Sequence, residues 1–426
     1  MNDQLESSCL SVRSLDRLAG NELTTQELRR VEIHLAGCTR CQRMLDAEDG
    51  DPVWRSEIRD VLRCDADDGQ PATKAPGEAI DRDEFDEDDA DSMESVLELL
   101  GPTDEPHSLG RIGTYEIMAV IGQGGMGVVF KAIDAPLGRF VAIKMMLPCL
   151  AVSGAARKRF AREGRAAAAV IDDHVLPIHG VSQWRGVPYL VSQYSSGATL
   201  QNRLQAEGPF ELKEILRIGM QAARGLAAAH AQGLVHRDVK PSNILLDGTV
   251  ERAMLADFGL ARAADDASLT RTGVVAGTPQ YMSPEQARGG DVDAQSDLFG
   301  LGGVLYAMCT ARAPFRADNS YAILRLIADE SPRSIREINP DIPNWLCGII
   351  AKLMAKRPSD RFDSSEQVAD LLESCLGHVQ QPGTFALPSA ARMLESTARR
   401  DESPPKTRWW VAALFVSFLL AGVLLV

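Results

Sequence analysis

The segment His236-Arg237-Asp238-Val239-Lys240-Pro241-Ser242-Asn243 runs into the apolar triplet ILL, and fourteen residues after Asn243 comes Asp257-Phe258-Gly259, behind AMLA. Transfer of a phosphoryl group needs a carboxylate near the acceptor hydroxyl and oxygen ligands for Mg²⁺ beside the phosphates. Asp238 is the candidate for the first task, and Asn243 with Asp257 for the second. Upstream, Gly122-Gln123-Gly124-Gly125-Met126-Gly127-Val128-Val129 lies between two apolar strand patterns. Its glycines let backbone amides close over phosphate oxygens. Val141-Ala142-Ile143-Lys144 then supplies an ammonium, and Glu163 in RKRFAREGRAAAAV is placed to hold that ammonium against the α- and β-phosphates.

Taken singly, these signals are weak. Glycine-rich hairpins are common, a lysine closing an apolar strand is usually an exposed strand end, and Glu163 alone reads equally well as part of a solvated helix face. A dinucleotide fingerprint would require a helix immediately after the glycines. GVVFKAID reads instead as a strand, which favours a flap over a nucleotide. The two acidic loops in this order, with the lysine and glycine loop before them, do not arise by chance.

The elements that must position these groups follow a strand-then-helix order. Short β-branched runs (YEIMAVIG, GVVFKAID, FVAIKMML) are joined by glycine-containing turns, and longer helical stretches such as ELKEILRIGMQAARGLAAAHAQG and SDLFGLGGVLYAMCTA come after them. That order predicts an α+β fold of two lobes, a small β-rich lobe packed on a larger helical one. The two segments carrying Asp238 and Asp257 read as loops beside short strands, where functional groups project from a rigid scaffold. The chain is divided into a helical module at 1–64, an acidic linker at 65–108, the two-lobed domain at 109–376, a second linker at 377–408, and an apolar tail at 409–426.

Charge is distributed unevenly. Of the net −14, residues 1–108 hold 28 acidic and 11 basic side chains, whereas the remainder holds 31 and 34. The acidity of the first part argues against nucleic acid as a partner. The run DRDEFDEDDADSME at Asp81–Glu94 repels itself into an extended spacer, the alternative being a docking site for a basic protein. Eight cysteines are too few for a secreted disulfide scaffold. MNDQLESSCL lacks a signal-peptide pattern, so the N-terminal part is expected in a reducing cytosol.

Cys9, His34, Cys38 and Cys41 stand apart from the other cysteines. Thr24 with Glu27 opens a helix that Gly37 is placed to close. His34 falls in its last turn and the Cys38–Cys41 pair in the loop after it, so the three can converge on one Zn²⁺ with Cys9 as fourth ligand. A bare CxxC is ambiguous between zinc, redox chemistry and neither; the histidine and Cys9 favour zinc. At the other end, the eighteen residues WWVAALFVSFLLAGVLLV carry no charge. As a helix they reach roughly 27 Å, close to the ~30 Å hydrocarbon layer. Trp409 and Trp410 suit an interfacial belt, and Lys406 and Arg408 place the preceding chain on the cytoplasmic side. A buried core helix is the alternative, but it would rarely be apolar on every face.

Over about 260 residues the chain resembles the bacterial Hanks-type Ser/Thr protein kinases. Gly277-Thr278-Pro279-Gln280-Tyr281-Met282-Ser283-Pro284-Glu285 resembles the end of that family's activation segment, Asp297 its helix aspartate beneath the catalytic loop, and Arg361 the arginine that pairs with Glu285. The resemblance implies ATP and Mg²⁺ as cofactors. It implies a nucleotide site of Ile121, the 122–129 loop, Ala142, Lys144, Gln193, Tyr194, Asn243 and Asp257. Asp238 would accept the hydroxyl proton and Lys240 would steady the transferred group; Lys240 and Thr278 point to Ser/Thr substrates. Arg237 would receive a phosphate on the activation segment, where Ser268, Thr270 and Thr272 are the candidate acceptors.

Two departures from the family pattern are visible: Ser192-Gln193 in the hinge, where many relatives have Met-Glu, and Ser283 in place of the commoner Ala. Neither touches phosphate or metal. Residues 1–64 resemble the zinc-binding anti-sigma domain, which implies a protein partner such as a sigma factor. The competing readings are a pseudokinase scaffold or an anti-sigma-like regulator acting by binding. The expected location is the inner membrane, crossed once, with the kinase domain in the cytoplasm.

Overall fold

The computed structural model describes residues 93–247, 252–258 and 279–401. The zinc candidates Cys9, His34, Cys38 and Cys41, most of the acidic run, the sites Ser268, Thr270, Thr272 and Thr278, and the apolar tail 409–426 lie outside the described residues. Among the described residues no helix is long and apolar enough to cross a membrane. No group of three or more His, Cys, Asp or Glu side chains there is arranged to hold a metal ion.

The first lobe is a six-stranded antiparallel sheet in the order β1-β2-β3-β4-β6-β5. Its strands are β1 (Gly110–Ile112), β2 (Tyr115–Gly124), β3 (Gly127–Asp134), β4 (Arg139–Met146), β5 (Ile178–Trp184) and β6 (Val187–Gln193). Alternation of side chains fixes the faces: in β3, Val128, Phe130 and Ala132 are fully buried, and in β4, Val141, Ile143 and Met145 are. After α1 (Pro148–Ala151), helix α2 (Gly154–Ala168) starts at Ser153, whose hydroxyl accepts the Ala156 N–H. It lies on β5 and β6 so closely that a Cβ at Gly164 would come within 2.9 Å of the Val181 side chain.

The second lobe is helical: α3 (Leu200–Glu207), α4 (Leu212–Ala231), α5 (Pro284–Ala287), α6 (Ala294–Thr310), α7 (Ser320–Asp329), α8 (Ile335–Ile338), α9 (Asn344–Leu353) and α10 (Ser365–Gln380). A two-stranded ribbon, β7 (Ile244–Leu246) with β8 (Ala253–Leu255), sits at its top. Helix α6 is apolar nearly all round and is buried from Ser296 to Thr310, as a central core helix must be. Gly300 lets it approach the catalytic loop: a Cβ there would lie 2.9 Å from the Val239 carbonyl oxygen.

Both linker boundaries require correction. Residues 93–97 are helical, and Val96 and Leu99 are fully buried in the core of the first lobe. Composition put them in the acidic spacer because the apolar positions in SVLELL are too few to stand out beside the charge run. At the other end, α11 (Ser389–Asp401) packs on α9, where Gly348 faces the Leu394 backbone and Ala391 is fully buried. Its Ala/Arg-rich sequence hides a narrow apolar stripe.

Candidate active site

A cleft of about 750 Å³ opens between the lobes. The β2–β3 hairpin roofs it. Gly124 pairs with Gly127 across the turn, and a Cβ on Gly127 would lie 2.2 Å from the Met145 carbonyl oxygen, so no other residue fits. Ile121, Gly122, Gln123, Gly124, Gly125, Met126, Gly127, Val129, Ala142, Gln193 and Tyr194 all line the cleft. Val128 does not; it is fully buried on the core face of β3. At the hinge, the Gln193 N–H donates to the Pro177 carbonyl (2.9 Å), and the Tyr194 ring packs on Phe140 with the Lys131 ammonium 4.8 Å away.

The floor is built by Asp297, whose side chain is fully buried at the start of α6. Its two oxygens accept the backbone N–H groups of His236 (2.7 Å) and Arg237 (2.6 Å), and Oδ2 also meets His230 Nε2 at 2.7 Å. Arg237 and Asp257 hold left-handed backbone conformations, φ 68° and 62°. Non-glycine residues pay for that geometry with strain, which is tolerated where the surroundings fix it. Asn243 donates its amide to both the backbone carbonyl (2.8 Å) and the carboxylate (3.0 Å) of Asp238. Lys240 Nζ lies 2.9 Å from the same carboxylate.

Lys144 Nζ reaches Asp257 Oδ2 at 3.0 Å across the cleft. Burial pushes the Asp257 carboxyl up, but the ammonium of Lys144, with His236 and Lys240, more than offsets this and holds it below the usual carboxylate range. Glu163 is buried on α2, and the ion pair of Lys144 is with Asp257. The structure thus brings Lys144, Asp238, Lys240, Asn243 and Asp257 into one cleft.

Both cofactors fit these residues. Asn243 uses its amide nitrogen on Asp238, so its carbonyl oxygen is left to offer a cation, beside an ionised Asp257. Oxygen donors of this kind suit Mg²⁺. The glycine hairpin leaves room for phosphate oxygens, and Lys144 supplies their counter-charge.

The protein kinase domain family pattern matches residues 115–380. The chain belongs to the protein kinase family. The kinase resembles a "Probable serine/threonine-protein kinase pknA2" of Bifidobacterium longum, 35% identical over 61% of this chain and 35% of that one. It also resembles "Serine/threonine-protein kinase PrkC" of Bacillus subtilis, 38% identical over 60% of this chain and 39% of that one. The chain spans less than half the length of these relatives. Among solved structures, the Mycobacterium tuberculosis PknI kinase domain superposes with a TM-score of 0.51 at 25% identity, covering 64% of this chain and 98% of that one.

Some working residues went unremarked in the sequence. His236 was only part of a motif, yet its Nε2 donates to the Ala256 carbonyl (2.9 Å), its Nδ1 accepts the Asp238 N–H (3.3 Å), and its ring lies 4.4 Å from that of Phe258. It ties the two acidic loops together. Gln286 donates to the Arg237 carbonyl at 2.7 Å. No local pattern marks either role.

Proposed function

We propose that the chain is an ATP- and Mg²⁺-dependent kinase that transfers the γ-phosphoryl group to Ser/Thr hydroxyls of proteins. The observation that carries this reading is the convergence of Lys144, Asp238, Lys240, Asn243 and Asp257 on one cleft beneath a glycine hairpin. Bound Mg²⁺ would supply charge neutralisation of the phosphates. Asp238, steered by Asn243, accepts the proton of the attacking hydroxyl. Lys240 exchanges Asp238 for the transferred phosphoryl oxygens, and Lys144 exchanges Asp257 for the α- and β-phosphates. Both relatives are named as serine/threonine-protein kinases, and Lys240 beside Asp238 agrees with that acceptor class.

Regulation by autophosphorylation belongs to the same reading. Among the described residues, Arg237 Nε is buried without a hydrogen-bond partner, which suits reception of a phosphate from Thr270 or Thr272. Zinc at Cys9, His34, Cys38 and Cys41, a protein partner at that module, and anchoring at the inner membrane by 409–426 complete the proposal; the sequence patterns support them. Incubation of the full chain with labelled ATP and Mg²⁺ tests the core reading. Label transfer that an Asp238→Asn variant matches would sink it. Mass spectrometry should find phosphate between Asp257 and Glu285, and zinc analysis should give a content that falls in a Cys38→Ser variant.

A further inference from the structure

The segment 93–113 lies ahead of the family-matched stretch, yet it is built into the first lobe. In the sheet order, β1 and β5 are the two free edges. Residues 93–101 touch both. Gly101 exchanges backbone hydrogen bonds with Arg111 of β1, 2.8 and 3.0 Å. The Leu99 carbonyl accepts the indole N–H of Trp184 at the end of β5, 2.8 Å. Val96 and Leu99 are fully buried in the same core as Phe160 of α2. The return path is pinned as well: the Glu116 carboxylate accepts the hydroxyls of Thr103 (2.8 Å) and Ser108 (3.1 Å) and pairs with Arg111 at 2.6 Å.

We propose that residues 93–101 are a strap that closes the sheet edge to edge and, through Trp184 and β5, sets the position of α2 and its Glu163. The argument is mechanical. Helix α2 rests on β5 with backbone-close packing at Gly164, so any shift of β5 is handed to α2. Strand β5 has a strand partner on one side only, and the Trp184–Leu99 hydrogen bond ties its end to the strap. The residues act by positioning and touch no substrate.

The inference rests on the kinase reading for its activity readout but not for its structural one. In the full chain in detergent micelles, Leu99→Asp should accelerate amide exchange of α2 by about tenfold while leaving α6 unchanged. It should lower kcat on dephosphorylated casein by about tenfold, with KM for ATP shifted less. Leu99→Ile should leave both near wild type, and Trp184→Phe, which keeps an aromatic ring but loses the donor, should fall between. Wild-type α2 exchange in Leu99→Asp and Trp184→Phe would overturn the strap. So would equal acceleration in α2 and α6 in Trp184→Phe, since that is global loosening. If no variant, wild type included, turns over substrate, the kinase reading fails, and α2 exchange still decides the strap.

Discussion

Two carboxylate–cation pairs in this molecule are made of the same chemistry and are used in opposite ways. Glu285 and Arg361 form a bidentate pair at 2.7 and 2.8 Å, and Ser296 donates a further hydrogen bond at 2.6 Å to the same carboxylate. Arg361 is fully buried, donates also to the carbonyls of Ala355 and Gln295, and lies over the Phe299 ring. Four of the five guanidinium N–H groups and both carboxylate oxygens have fixed partners, so little is left to exchange. Lys144 and Asp257 instead share one contact in an open cleft. The Lys144 ammonium has further donors to give and the Asp257 carboxylate further lone pairs. Saturation makes scaffold; an unsaturated pair facing a cleft is poised for ligand exchange.

The largest effect is expected from breaking the saturated pair. Arg361→Ala leaves the half-buried Glu285 carboxylate without its counter-charge, with only the Ser296 hydrogen bond remaining, at a cost of about 3 kcal/mol. The drop should appear in the denaturation midpoint, and an unchanged midpoint would show that the pair is not structural. The next is Asp257→Asn, which should reduce turnover on the order of 10²–10³-fold with a melting temperature close to wild type. A comparable loss of stability would erase the distinction between the pairs.

Acid sharpens the comparison further. The Glu285 carboxyl is held down to about 2; burial pushes it up, and the hydrogen bonds from Arg361 and Ser296 outweigh that. A group whose folded value lies below its ordinary 4.5 stabilises the fold at higher pH and loses that contribution as pH falls towards 2. The stability difference between wild type and Glu285→Gln should therefore be greatest above pH 5, about 3 kcal/mol, and shrink steadily below it. A difference independent of pH would mean that the carboxylate charge contributes nothing.

Much of this was legible in the sequence, and the reasons differ by region. Lys144, Asp238, Asn243 and Asp257 stand out because phosphoryl transfer needs those residue types in local, ordered motifs. The sheet lobe followed from short β-branched runs joined by glycine-containing turns, and the helical lobe from the longer helical stretches after them. His236 and Gln286 were not legible, since their roles consist of hydrogen bonds to backbone atoms distant in sequence. The burial of Val96 and Leu99 was hidden because the short apolar run SVLELL lies directly beside the acidic run and is too brief to stand apart from it. The pairing of Lys144 with Asp257, with Glu163 buried on α2, is a property of packing that no spacing encodes.

The smallest effect concerns Ser283, the residue that departs from the commoner Ala. Its hydroxyl accepts the Gln286 N–H at 3.3 Å, and the Gln286 side-chain oxygen accepts the Ser283 N–H at 2.9 Å, a reciprocal cap on α5. The same Gln286 side chain donates its amide to the Arg237 carbonyl. The cap therefore orients the side chain that joins α5, next to the saturated pair, to the loop that carries Asp238. Ser283→Ala removes one half of the cap and should cost about 1 kcal/mol in a denaturation curve. Because the Gln286 bridge keeps its other partners, turnover should fall by no more than about fivefold, the rate equivalent of that cost. A loss of turnover far larger than the loss of stability would show that the bridge transmits more than support. The scaffold pair and the working pair would then have to be treated as one coupled unit.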